Sequence, residues 1–529
     1  MSFEPSRVGG FPFRRSNPEE RKNCFSEVQQ PYNKEEVMKE ANRCLLCGTP
    51  VCIDACPVLL DVRGMNEAVA RGDFKKAYDR IRETNPLIGV TGRCCPQLQG
   101  LCEDACVLRW TGQPIGIGLI QRYVADWERK YQEQKQDQQK LQPSIASDTG
   151  KKVVIIGAGP AGLAAAELLR RYGHGVTIYE ELTTPGGTAW YGIPDYHLPK
   201  DVLLHEVEKI KEMGVEIRTN VKVGKDITIS QLMRDEDENR INDAILIATG
   251  SRDTLKLDTP GIDLKGIYDG YQFLKDVFVN GVNNYMKNNN NTNRNSKKYH
   301  YDLGKEIIVI GGGDTALDCA RTALRLTKGN VTIVYRRTEN DIPADPIMLQ
   351  EAKEEGVKFR YLAEPKSYDG SDGYVVTTTM NSMKLGAPDQ TGRRSPVPDP
   401  GKEFKISCSS VLLAVGRGPS SFLQKKAGLK TGKRNSIAVD DYHKTSMKGV
   451  FAAGDVTTGE TLVVKSMASG REAAQRVHEY LMNLEEGSHM SFYERYYIDN
   501  SYDRMMEDTD YTSELPPDQV FSGNSIDII

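Results

Sequence analysis

KKVVIIGAGPAGLAAAELLRRYGHGVTIYE, residues 151–180, decides the fold. An apolar run, Val153 to Ile156, meets Gly157-Ala158-Gly159-Pro160-Ala161-Gly162. A helical stretch to about Arg171 follows, then a second apolar run from Val176 to Glu180. The three glycines have separate tasks. Gly157 permits a tight turn, Gly159 lets a phosphate approach the backbone, and Gly162 lets helix and strand pack closely. The helix N-terminus then presents amide donors and the positive end of its dipole to a pyrophosphate. Glu180 is placed to accept hydrogen bonds from ribose hydroxyls. A lone GxGxxG is weak evidence, but here strand, loop, helix, strand and acid occur in order.

A second copy lies at KEIIVIGGGDTALDCARTALRLTKGNVTIVYRR, residues 305–337. Its loop reads Gly311-Gly312-Gly313-Asp314-Thr315-Ala316, with Ala in place of the third Gly. Its second strand ends in Tyr335-Arg336-Arg337, without an acid at the ribose position. An acid there would repel a 2′-phosphate, whereas two guanidinium groups hold one through charge-assisted forked hydrogen bonds. NADP(H) rather than NAD(H) is expected. A third element, KGVFAAGDVTTGETLVVKSMASGREAAQRV (448–477), carries a strand, Gly454-Asp455 and a helix. The Asp455 carboxylate can accept a hydrogen bond from a flavin ribityl chain. AILIATGS (244–251) and VLLAVGR (411–417) are further apolar strands ending in glycine turns, the first at Gly250. Two such units in one chain predict an α/β fold with two Rossmann-like dinucleotide-binding domains.

Eight cysteines crowd between Cys44 and Cys106. The first four read C-x2-C-x4-C-x3-C-P, from Cys44 through Cys47 and Cys52 to Cys56. The others are Cys94, Cys95, Cys102 and Cys106. Disulfides suit small secreted domains, and the N-terminus lacks the apolar segment of a secretory signal. Zinc favours tight C-x2-C pairs, and only Cys44 and Cys47 have that spacing. The long run is closest to ferredoxin spacing, in which thiolates bind cluster irons and the Cys before Pro serves a second cluster. Iron–sulfur is the favoured reading; zinc and free structural thiols stay open.

The 529 residues suggest three or four domains. A net charge of −4 favours neither nucleic acid nor an anionic membrane surface. No apolar stretch approaches the roughly 18 residues of a membrane span. A cytoplasmic location is expected, because Glu4, Glu19, Glu20 and Glu27 are out of character for a transit peptide. Helical spacing marks residues 35–47, 65–86 and 118–140 of a mostly helical N-terminal domain. The Asn-rich tract at 279–300 and the acidic, Tyr-rich tail at 484–529 lack a core-forming pattern, so disorder or partner docking is expected.

RCLLCGTPVCIDACP, TGRCCPQ, LCEDAC, GAGPAGLAAAELL, PGGTAWYGIPDYHLPK, GGGDTALDCAR, VYRR, IPADP and FAAGD occur in this order. Together they resemble the glutamate synthase small (β) subunit family. That family includes the large subunit of NADH-dependent ferredoxin:NADP oxidoreductase and sulfide dehydrogenase-like flavoproteins. The resemblance implies a helical iron–sulfur domain at 1–145, similar to dihydropyrimidine dehydrogenase domain II. It implies an FAD domain split into 146–262 and 440–483 around an inserted NADP domain at 263–439. Implied FAD contacts are Gly157, Gly159, Pro160, Ala161, Gly162, Glu180, Gly187, Gly192, Gly250, Gly454 and Asp455. Implied NADP(H) contacts are Gly311, Gly313, Asp314, Thr315, Ala316, Arg336 and Arg337. Two [4Fe-4S] clusters are implied, one on Cys44, Cys47, Cys52 and Cys106, the other on Cys56, Cys95, Cys102 and Gln121. Three departures stand out: Cys94 replaces an apolar residue, the Cys95–Cys102 gap is one residue longer, and His197 stands where relatives carry Arg.

The implied reaction passes a hydride from NADPH to the flavin and single electrons to the clusters. No protein acid or nucleophile is needed, so no catalytic residue is assigned. The expected function is the NADPH-oxidising input module of a glutamate synthase, partnered by its large subunit, a ferredoxin-type acceptor or a second copy. A ferredoxin- or sulfide-linked NADP oxidoreductase and a non-catalytic assembly protein are the alternatives. Intact Gly159, Glu180, Arg336 and Asp455 argue against the last. No C-x-x-C accompanies either nucleotide unit, which argues against a thioredoxin reductase-like enzyme.

Overall fold

The apolar runs beside the glycine loops fold as parallel strands, buried because helices cover them. The structure, a computed structural model, describes residues 14–134, 144–234, 237, 239–255, 257–279, 301–388 and 394–485. The Asn-rich tract beyond Val279 and the tail beyond Glu485 lie outside the described residues. The chain divides into two compact units, residues 1–477 and 478–529. Of the second, the described residues carry the end of the last helix.

The cysteine-bearing segment is helical. Its main elements are α1 (Lys34–Asn42), α2 (Val62–Ala70), α3 (Phe74–Arg82), α4 (Ile88–Cys94) and α5 (Ile117–Gln134). The expected single stretch over 65–86 is therefore two helices. Gly72 breaks it by adopting φ +77°, and the Asp73 carboxylate caps the next helix by accepting the Lys76 N–H at 2.9 Å. Helices α4 and α5 cross so closely that a Cβ on Gly92 would sit 2.9 Å from the Arg122 backbone nitrogen.

The first nucleotide unit supplies β1 (Lys152–Ile156), α6 (Pro160–Arg171), β2 (Gly175–Tyr179), α7 (Lys200–Glu212), β3 (Glu216–Arg218) and β4 (Ala244–Ile247). The second supplies β5 (Ile267–Asp269), α8 (Gly270–Val279), β6 (Glu306–Ile310), α9 (Asp314–Thr327), β7 (Asn330–Tyr335), α10 (Pro346–Glu355) and β8 (Lys358–Tyr361). A meander of β9 (Ala363–Ser371), β10 (Tyr374–Pro388) and β11 (Arg394–Ser407) follows, then β12 (Ser410–Leu413). The chain closes with β13 (Val450–Ala452) and α11 (Val463–Met482). One parallel sheet has the order β13-β4-β1-β2-β3, the other β5-β12-β6-β7-β8. Strand β13 thus returns to the first sheet after the whole second sheet has been built. The NADP-type unit is inserted in the FAD-type unit, as expected.

Buried ion pairs join the three parts. The Glu167 carboxylate on α6 accepts from Arg171 at 2.7 Å, from Arg471 on α11 at 3.1 Å and from Arg82 on α3 at 3.4 Å. The Glu355 carboxylate on α10 accepts from Arg321 at 2.6 Å, Arg325 at 2.7 Å and Arg21 at 3.1 Å. Such burial is tolerable only because each carboxylate meets several donors. The N-terminal segment carrying Arg21 runs on as a strap. The Cys24 carbonyl accepts from Arg325 at 3.0 Å, Glu27 accepts from Arg93 at 2.8 Å, and the Val28 N–H donates to Tyr196 O at 3.0 Å.

Candidate functional site

The first glycine loop opens onto a cleft of about 640 Å³, within the range that holds large organic ligands. Gly157 takes φ +109°, and a Cβ there would lie 2.5 Å from Ala248 O. A Cβ on Gly162 would lie 2.0 Å from Gly157 O, so only glycine lets α6 start against this loop. Gly159 differs. Its ideal Cβ meets nothing closer than Gly187 Cα at 3.9 Å and lies on the cleft wall with Pro160, Ala161 and Gly187. Glu180 is buried at the rim. Its two carboxylate oxygens accept the Ala158 and Leu182 N–H groups, each at 2.8 Å. Burial pushes its carboxyl up, and these two amides oppose that shift. Gly250, at φ +70° with open space beside it, also lines the cleft.

Asp455 lies at the far end of the cleft, after Gly454 at φ +74°. It accepts from Ser466 Oγ at 2.5 Å, and burial raises it to about 6. A Cβ on Gly470 would clash with Ala161 O at 2.1 Å, so glycine allows α11 to cross the start of α6. The Arg417 guanidinium stacks 3.9 Å from the Tyr271 ring centroid and pairs with Glu460 at 2.7 Å. Glu181, paired with Lys222 at 2.8 Å and with Arg252, completes the wall near Glu180. Sequence reasoning did not single out Tyr271, Glu460, Glu181 or Arg252. The one available signal was Arg417, which directly follows the glycine turn of VLLAVGR.

In the second unit Gly311 takes φ +144°, Gly313 has open space beside it, and Ala316 is buried in the first turn of α9. Asp314 accepts the Asp345 N–H at 2.8 Å and is raised to about 6 by burial. Arg336 is exposed, whereas Arg337 is buried and its Nε has no hydrogen-bond partner among the described residues. The pair therefore does not form one symmetrical fork.

None of the eight clustered cysteines is joined in a disulfide. Cys44, Cys47, Cys52 and Cys106 line one small cavity, closed by Leu45, Val51, Val62, Asn66 and Val107. Burial drives Cys52 up to about 12, with smaller contributions from Cys44, Cys106 and Cys47. Cys56, Cys95 and Cys102 are electrostatic neighbours of one another, each also raised chiefly by burial. The structure thus brings Cys106 together with Cys44, Cys47 and Cys52, and sets Cys56 beside Cys95 and Cys102, with Cys94 also next to Cys95. Among the described residues no three Cys, His, Asp or Glu side chains are placed to hold a single metal ion. Multinuclear clusters, ligated by thiolates at several irons, fit that donor set. Gln121 is buried where α5 crosses α4. Its Nε2 donates to Ile88 O at 3.0 Å and to Thr91 Oγ1, leaving the carboxamide oxygen as its remaining donor atom for a metal.

A second cavity, about 200 Å³, shares Thr188, Tyr271, Arg417, Glu460, Thr461 and Val463 with the cleft. Cys94, Cys95, Gly192, His197, Asp314 and Thr315 also line it. The cysteine segment and both glycine-loop units therefore meet in one chamber. His197 Nε2 faces Arg321 Nη1 at 2.8 Å, and Nδ1 faces Asp318 Oδ1 at 3.1 Å. Arginine only donates, so Nε2 accepts and Nδ1–H donates to Asp318.

Residues 151–470 match the family described as pyridine nucleotide-disulphide oxidoreductase, and residues 20–133 that described as dihydropyrimidine dehydrogenase domain II, 4Fe-4S cluster. The small chain of glutamate synthase [NADPH] from Azospirillum brasilense is 34% identical over 468 residues, 87% of this chain and 92% of its own. This chain belongs to the glutamate synthase small-chain family. It is an NAD(P)H-dependent flavin oxidoreductase with an iron–sulfur domain. The β subunit of an NADP(+)-dependent formate dehydrogenase from Moorella thermoacetica is 36% identical over 452 residues. This family member covers 82% of itself in that match but only 60% of the Moorella subunit. In fold it is similar to FprA from Mycobacterium tuberculosis, with TM-score 0.52, 18% identity, and coverage of 66% and 89% of the two chains. No helix among the described residues is long and apolar enough to cross a membrane.

Proposed function

We propose that the chain carries electrons from NADPH through FAD to two [4Fe-4S] clusters and on to a partner subunit, as the small chain of a glutamate synthase. The observation that carries this reading is the shared chamber, where Cys95, Asp314, Thr315 and the end of the FAD cleft line one cavity. The chemistry FAD supplies is conversion between two-electron exchange with NADPH and one-electron exchange with iron–sulfur centres.

The chain's own groups set the placement. Gly157, Gly159, Pro160, Ala161 and Gly162 leave room for a pyrophosphate at the α6 N-terminus, while Glu180 faces a ribose. Gly187 and Gly250 keep the cleft open beside the ring, Gly192 makes room for Tyr271 at the adjoining chamber, and Gly454 and Asp455 hold the ribityl side. Gly311, Gly313, Asp314, Thr315 and Ala316 form the second cradle, with Arg336 and Arg337 beside the 2′-phosphate. Cys44, Cys47, Cys52 and Cys106 hold one cluster; Cys56, Cys95, Cys102 and Gln121 hold the other. Residues 1–145 form the iron–sulfur domain, 146–262 with 440–483 the FAD domain, and 263–439 the NADP domain. The location is cytoplasmic.

Anaerobic iron and sulfide analysis should give about eight iron per chain, four for each [4Fe-4S] centre. Zinc, or about four iron, overturns the two-cluster assignment. Co-purification from native cells, with glutamine plus 2-oxoglutarate, ferredoxin and sulfide tested as acceptors, identifies the partner. Recovery with a formate-oxidising subunit instead would support the reading suggested by the Moorella relative.

A further inference from the structure

One polar side chain in the cysteine segment has no answer in the protein around it. Asn66 lies on α2 with 0% relative exposure. Neither its Nδ2 nor its Oδ1 has a nitrogen or oxygen hydrogen-bond partner among the described residues. A buried carboxamide left unpaired costs roughly 1–3 kcal/mol per group, so its retention at a helix position suited to an apolar residue requires a missing partner. The cavity that Asn66 lines is the one formed by Cys44, Cys47, Cys52 and Cys106. Most of the remaining lining there is aliphatic, including Leu45, Val62 and Ile115. The Asn66 side chain shares that cavity wall with Cys44 and the other three thiols.

We infer that Asn66 donates an N–H···S hydrogen bond to the iron–sulfur centre held by Cys44, Cys47, Cys52 and Cys106, and thereby raises the reduction potential of that centre alone. The inference rests on the proposed cluster assignment. Its physics is independent of activity. Reduction adds negative charge, and an amide hydrogen aimed at sulfur stabilises the more negative state. Hydrogen bonds to the sulfurs are among the features that set cluster potentials. Asn66 is a positioning and tuning group that lines neither the large cleft nor the chamber beside the second glycine loop.

The test is an anaerobic redox titration of the holoprotein followed by EPR, comparing wild type with Asn66→Leu and Asn66→Asp. Asn66→Leu replaces the donor by apolar volume; Asn66→Asp keeps the shape and loses the amide donor. One cluster should become about tenfold harder to reduce, a fall of about 59 mV for one electron. The other cluster should not move. Full iron content with both potentials unchanged in both variants overturns the inference while leaving the cluster assignment standing. Fewer than two clusters in the wild type would instead refute the assignment. Should both variants lose iron, pulsed EPR on wild-type protein carrying ¹⁵N-asparagine decides. A ¹⁵N coupling to one reduced cluster, abolished in a sample whose Asn66 alone is unlabelled, is expected; its absence overturns the hydrogen bond.

Discussion

Gly159→Ala separates folding from cofactor binding. Gly159 caps α6 with φ −78° and ψ −178°, a backbone conformation open to any residue. The added methyl would meet only Gly187 Cα, at 3.9 Å, an ordinary van der Waals distance. Replacing glycine by alanine at an N-cap costs about 0.5–1 kcal/mol, and reduced freedom of the unfolded chain returns about 0.4–1 kcal/mol. The apoprotein should therefore unfold within about 0.5 kcal/mol of wild type. The same methyl projects into the space left for the pyrophosphate. Overpacking of that kind costs roughly 1–3 kcal/mol, which is about 5- to 150-fold in affinity. The assay has two arms: FAD per chain after gel filtration with titration of FAD back into apoprotein, and thermal unfolding of the apoprotein by circular dichroism. Wild-type FAD affinity would refute the reasoning, as would an apoprotein that fails to fold. Gly162→Ala is the contrast, since its methyl would be driven to 2.0 Å from Gly157 O. That variant should lose both fold and flavin.

Glu355→Gln should destabilise the chain by about 3–5 kcal/mol, because it leaves Arg321, Arg325 and Arg21 buried around a neutral amide; urea midpoints check this, and a change under about 1 kcal/mol would contradict it. Asp455 is raised from 3.8 to about 6 by burial, so its contribution to stability is greatest below 3.8 and is lost as pH rises through about 6. The stability difference between Asp455→Asn and wild-type apoprotein should accordingly grow in favour of the variant across that window, and a flat difference removes the argument. Arg336→Ala/Arg337→Ala should shift the preference from NADPH towards NADH, read as the ratio of kcat/KM values; an unchanged ratio sinks the 2′-phosphate assignment.

The parts legible in the sequence are those that backbone geometry dictates. Gly157 and Gly162 announce a loop that tolerates no Cβ, and the apolar runs beside them become parallel strands because both faces are covered. Residues 65–86 misled because helical spacing continues across Gly72, and only the positive φ there, followed by the Asp73 cap, reveals the break. Arg417, Tyr271 and Glu460 were not legible as a group. Each is an ordinary residue in its own neighbourhood, and they meet only because β12 ends, and α8 and α11 begin, beside the same cleft. Arg336 and Arg337 were legible in charge but not in orientation, since adjacent residues at a strand end face opposite sides. The grouping of Cys106 with Cys44, Cys47 and Cys52 is set by how the segment 101–106 folds back, which no cysteine spacing encodes.

The return of β13 to the first sheet also sets a timetable for synthesis. Strand β4 ends at Ile247, but its neighbour begins only at Val450 and the flavin-side acid only at Asp455. Roughly 200 residues separate the two, so a ribosome adding about 5–20 residues per second leaves the cleft open for roughly 10–40 seconds. During that interval the NADP-type sheet, complete by Leu413, can close while the older unit waits with an unpaired edge. Flavin can be captured only after roughly the last seventh of the chain begins to emerge, which makes the late strand and helix the step at which a polypeptide becomes a holoprotein.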